Sequence, residues 1–109
     1  MKIKVTLRQR STDVFAEALY EGETITVLPG GMISKDFADH IRGGKMAKGY
    51  RDNPEYVDKS GKIIKKCEFS SPSTAAQFVT GRSTNGYEAW KVEDGKSLGA
   101  YLKEKGLRQ

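Results

Sequence analysis

Eight cations, Arg42, Lys45, Lys48, Arg51, Lys59, Lys62, Lys65 and Lys66, fall in one stretch and are opposed there only by Asp52, Glu55 and Asp58. The stretch carries a net +5, the whole formal excess of the chain, and the remaining residues sum to zero. Cations at this density beside glycines suit a loop that follows phosphates. They neutralise consecutive phosphates and release the counterions those phosphates held. Tyr50 and Tyr56, in the same stretch, have the ring type on which bases stack. The other reading of the same residues is a solvated polar loop that keeps the chain in solution. Arg42-Gly43-Gly44 occurs as a single copy and adds little to either reading.

A second candidate site is the start of a helix. Ser71 before Pro72 makes an N-cap and first-turn pair, because the hydroxyl accepts an orphan amide and proline needs no donor there. Free amides and the positive end of the dipole favour an anion at such a point, and Ser70, Ser71, Ser73 and Thr74 supply hydroxyls around it. Ordinary self-capping by Ser71 explains the same residues, and the two roles are compatible, since one cap leaves other amides free. Arg82 and Asn85 follow on the next loop, where they can reach a phosphate or a base edge. Asn85 before Gly86 also reads as a turn former. Trp90 reads as core rather than as a stacking platform.

Catalytic constellations are sparse. His40 is the only histidine and Cys67 the only cysteine, so no His/Cys metal set and no Cys-His nucleophile pair of usual form is supported. Asp36 and His40 stand four apart on a predicted helix; an exposed ion pair accounts for them more simply than a small hydrolase does. Gly30-Gly31 and Gly43-Gly44-Lys45 lack the spacing of a dinucleotide or phosphate loop. A single cysteine excludes an internal disulfide, and Cys67 is expected on a half-buried strand. No apolar run nears the roughly 20 residues that span a bilayer. The opening Met-Lys-Ile-Lys-Val has no signal-peptide core, so a cytoplasmic location is expected.

The elements that must position these groups follow from periodicity and punctuation. Ile3, Val5 and Leu7 alternate with polar residues as in a half-buried strand. Residues 15–20 and 24–28 read as two strands joined through Gly22 as a hairpin, with Pro29-Gly30-Gly31 breaking the second. Ser34 is placed to cap a helix from Lys35 with Phe37, Ala38 and Ile41 inward, ended or interrupted by Gly43 and Gly44. Residues 49–61 read mostly as loop, and 63–69 as a strand leading into the Ser-Pro-Ser helix. In that helix Ala75, Ala76, Phe78 and Val79 fall on one side and Gln77 on the other, and Gly81 suits a left-handed C-cap. Asn85-Gly86 is a strong two-residue turn signal, with Tyr87, Ala89 and Trp90 as a strand after it. Ser97 caps a last helix with Leu98, Tyr101 and Leu102 inward and Gly106 as its stop.

The run from Phe69 to Trp90, with Ser-Pro-Ser, Ala-Ala, Gly-Arg-Ser, Asn-Gly-aromatic and a final Trp, resembles an uncharacterised bacterial domain. That domain is often appended to GIY-YIG nucleases and restriction-modification proteins. The run is more distantly similar to the restriction-enzyme adenine-methylase-associated (RAMA) domain. Gly22 to Met32 resembles the upstream strand and glycine turn of the same family. Gly31 stands where the family more usually has serine, and Tyr87 where it has tryptophan. The resemblance implies DNA, rather than RNA, as partner, and a nuclease or methyltransferase as associate.

At 109 residues and 12.1 kDa, 37% hydrophobic and 30% charged, the chain suits one domain with a modest core. The sequence therefore predicts a single α+β domain over residues 1–109, a small antiparallel sheet packed against two or three short helices. The expected function is a non-catalytic DNA-binding module without cofactor or metal. Its expected contacts are Arg42, Lys45, Lys48, Arg51, Lys62, Lys65, Lys66, Ser73, Arg82 and Asn85. The alternative is a protein-interaction module that docks on a nuclease or methyltransferase without touching nucleic acid.

Overall fold

Strict alternation of apolar and polar residues drives the first part of the chain into a sheet, because each strand can bury one face only. In the computed structural model, which describes residues 2–10, 12–38 and 44–107, β1 (Ile3–Arg8) buries Ile3, Val5 and Leu7. It pairs antiparallel with β2 (Phe15–Glu21), with Val5 opposite Ala18. A turn through Gly22, at φ +63, leads to β3 (Thr24–Val27). β4 (Cys67–Phe69) completes a four-stranded antiparallel sheet of order β1-β2-β3-β4. The strand expected over 63–69 is paired in the sheet only at its end. Ile63 instead bridges Val57, and the carbonyl of Gly31 accepts from Ile63 N at 2.9 Å.

Among the described residues, four helices accompany the sheet. α1 spans Gly44–Arg51, α2 Pro72–Thr80, α3 Gly86–Ala89 and α4 Leu98–Glu104. α2 lies across β2, β3 and β4 and is buried nearly all round. Ala75 and Ala76 let it approach the sheet closely, and Phe78 meets Phe69 of β4 at 5.3 Å between ring centroids. The caps expected of it are present. Ser71 Oγ accepts from Thr74 N at 3.1 Å, and Gly81 adopts φ +73. α4 is likewise capped by Ser97, whose Oγ accepts from Ala100 N at 3.1 Å, and it buries Leu98 and Leu102.

Three expectations are corrected. Residues 35–38 form no helix. They run alongside the end of α2, with Ser34 N donating to Val79 O at 2.9 Å and Ala38 N to Gly81 O at 2.8 Å. The remainder of that expected helix, with His40 and Ile41, lies outside the described residues. Part of the expected loop at 49–61 belongs to α1, since two glycines did not prevent a helix anchored by Ala47 and Tyr50. Finally, Asn85-Gly86 opens a helix instead of closing a hairpin. Asn85 Oδ1 accepts from Tyr87 N at 3.1 Å, so α3 replaces the strand expected at 87–90. Beyond it, Lys91 bridges Thr6 of β1.

Gly31 also gains a reason. A Cβ there would lie 2.6 Å from the carbonyl oxygen of Phe15, so this chain has room for no side chain at that turn without a shift.

Candidate nucleic-acid interface

The basic segment is built on α1 and the loop after it. α1 buries Gly44 and Ala47 against α2 and leaves Lys45, Met46 and Lys48 exposed. Its sequence is a weak helix former, with glycine at 44 and 49. Tertiary anchors compensate. Tyr50 sits edge-on to Tyr56 at 4.8 Å and to Phe69 at 5.2 Å, and its hydroxyl accepts from Glu68 N at 3.3 Å. Lys48 and Arg51 in the last turn favour the negative end of the helix dipole.

Arg51 is the second anchor. Its guanidinium donates to the carbonyl of Ser34 and to Ser34 Oγ at 2.9 Å, reaches the carbonyl of Asp36 at 3.4 Å, and lies 5.0 Å over the Phe37 ring. Burial lowers its pKa from the usual arginine value, against the opposing pull of Asp52 and Asp36. It ties residues 34–37 to α1. A cation expected to meet phosphate is thus committed inward.

The loop beyond α1 is folded around one carboxylate. Asp58 Oδ1 accepts from Ser60 N at 2.9 Å, from Ser60 Oγ at 2.6 Å and from Lys62 N at 3.0 Å. These bonds, the Ser60 hydroxyl first, hold its pKa below the ordinary aspartate value. Buried Val57 and Ile63 pin the two sides of the turn, which leaves Lys59 and Lys62 exposed at its tip. Lys65 Nζ then lies 5.2 Å over the Tyr56 ring.

The cations do not all gather. Lys48 pairs with Asp52 at 3.3 Å. Lys48, Arg51, Lys35 and Lys59 border a cleft of about 810 Å³, but Asp36, Asp52 and Asp58 border it too. Among the described residues, Lys45, Lys62, Lys65 and Lys66 are exposed and form no ion pair. Arg42 lies outside the described residues. Arg82 stands apart, bordering a smaller hollow of about 230 Å³ with Lys35 and Phe37. Asn85 is exposed and spends its side-chain oxygen capping α3.

At the α2 start, Ser73 Oγ accepts from Gly86 N at 3.0 Å. A Cβ on Gly86 would fall 2.1 Å from the Pro72 carbonyl carbon, and Trp90 Nε1 donates to Pro72 O at 3.0 Å. The first turn of α2 therefore packs under α3, and Ser73 meets an amide of its own chain where a phosphate was expected. Trp90 is fully buried, as its core role required. Sequence reading missed Lys35 at the cleft and the inward role of Arg51. It also passed over exposed Met46 and Ile64, whose signal was an apolar residue set among lysines.

This is an α+β arrangement with most of its charge excess on one helix and the loop that follows it. The chain belongs to an uncharacterised family, described as a domain of unknown function (DUF4357), whose model matches residues 7–102. No curated protein and no solved structure matches it. No helix among the described residues is long and apolar enough to cross a membrane.

Proposed function

We propose that the protein is a non-catalytic DNA-binding module that acts through Lys45, Lys62, Lys65 and Lys66. One observation carries the reading. These four cations are exposed and form no ion pair among the described residues, on a scaffold ordered by Tyr50, Val57, Asp58 and Ile63. Exposed lysines on a fixed scaffold are available to an outside anion, and several of them together suit successive phosphates. The resemblance to domains appended to GIY-YIG nucleases, and to the RAMA domain, makes DNA the polymer and restriction-modification or DNA processing the setting. A cytoplasmic location and a nuclease or methyltransferase as associate belong to the same reading.

Fluorescence anisotropy with labelled duplex, single-stranded and methylated DNA at two salt concentrations tests it. Binding is expected to weaken steeply as salt rises. Joint replacement of Lys62, Lys65 and Lys66 by glutamine is expected to lower affinity and to flatten the salt slope by about 2–3 for duplex DNA. A parent protein that binds no DNA at low salt overturns the reading in favour of docking on a protein.

A further inference from the structure

Met46 and Ile64 are large apolar side chains left 53% and 45% exposed, and both stand in the most basic stretch of the chain. They flank a tyrosine pair. Met46 precedes Tyr50 by one helical turn, so the two share a face of α1. Tyr50 touches Tyr56, Ile64 N donates to Tyr56 O at 2.8 Å, and Lys65 Nζ lies over the Tyr56 ring. Exposed apolar side chains, half-buried tyrosine rings and a cation that forms no ion pair among the described residues thus follow one another as neighbours from α1 to residue 65.

Phosphate contacts alone do not need such a surface. In a duplex the base faces are stacked on each other, and a generic duplex offers its charged backbone to lysines. Exposed apolar and aromatic groups among cations suit a ligand that shows both π faces and negative charge. We propose that this face takes single-stranded nucleic acid, with an unstacked base against Ile64, Tyr56 and Met46 and the adjoining phosphates on Lys65 and its neighbours. A base seated there displaces the Lys65 ammonium from the ring toward the phosphate beside it. The inference rests on the nucleic-acid reading above and adds the form of the polymer.

The test uses three labelled 12-mers: a mixed-sequence single strand, its duplex, and an abasic strand of the same length, which has phosphates but no bases. Tyr56 belongs to the aromatic cluster that packs on the core, so the variant combines the exposed positions only, Met46→Ser with Ile64→Ser. The parent is expected to bind the single strand about fivefold or more tighter than the abasic strand. The variant is expected to lose that difference while its affinity for duplex and abasic strands, and its salt slope, stay as in the parent. Equal parent affinity for natural and abasic strands overturns the inference, as does a variant that binds the single strand unchanged. If duplex binding persists in either case, the nucleic-acid reading stands and only the single-strand preference falls. Absence of binding to all three strands overturns both.

Discussion

Ser73 joins two helices through one oxygen. Its hydroxyl accepts from Gly86 N, one residue beyond the Pro72 carbonyl that receives the Trp90 indole. Ser71 is the cap proper, so a second hydroxyl two residues on is dispensable to α2 taken alone. It is not dispensable to the α2–α3 junction. Ser73→Ala leaves a buried Gly86 amide without its acceptor, which costs about 1–3 kcal/mol. The expected outcome is a lower melting temperature with DNA affinity unchanged, measured by thermal denaturation and anisotropy on the same preparation. Normal stability with weakened binding would return Ser73 to the role of a phosphate ligand. Arg51 carries the same lesson. Residue type gave its charge correctly, but only the tertiary path of residues 34–37 decided that the guanidinium points inward.

Elements whose causes are local could be read directly. β1 and the β2–β3 hairpin follow from alternation and Gly22. α2 follows from Ser71-Pro72 at one end and Gly81 at the other, and α4 from Ser97. α1 and α3 have causes elsewhere in the molecule. α1 is a poor helix by composition and is held by Tyr50 and Arg51. α3 starts at an Asn-Gly pair that serves a hairpin equally well until Pro72 is known to lie against Gly86. The candidate site divided the same way, with the cations legible and their partners not. Two glycines test this division. Gly86→Ala has no room, because its Cβ would overlap the Pro72 backbone at 2.1 Å. Separating α3 from α2 also breaks the Ser73 and Trp90 bonds, so a loss of about 3 kcal/mol or more is expected. Gly49→Ala in α1 meets nothing within 4 Å, and it removes the cost of glycine inside a helix. That change is expected to stabilise the protein by about 0.5–1 kcal/mol. Denaturant melts of the two variants decide both signs.

At the scale of the whole molecule the question is whether the short edge strand opens on its own. β4 has three residues and, among the described residues, pairs with β3 alone, the kind of edge that can fray at a fraction of the global free energy. Its contacts argue otherwise. Cys67 is fully buried, and Phe69 packs on both Tyr50 and Phe78. On the side away from β3, Glu68 N donates to the Tyr50 hydroxyl, so the edge is tied to α1. Opening β4 therefore strips α1 and α2 of their shared aromatic cluster, and the event becomes global. Cys67 reports it directly. Burial pushes its thiol up to about 12, so the native state offers almost no thiolate at pH 8. The unfolded chain offers an ordinary cysteine with a pKa near ~8.5, which reacts readily. Labelling of Cys67 by iodoacetamide is expected to be negligible in buffer and to accelerate with urea. Its slope and midpoint are expected to match those of unfolding followed by the fluorescence of Trp90, the only tryptophan. Rapid labelling in buffer, with little dependence on urea, would show that β4 leaves the sheet while the rest of the fold stays intact.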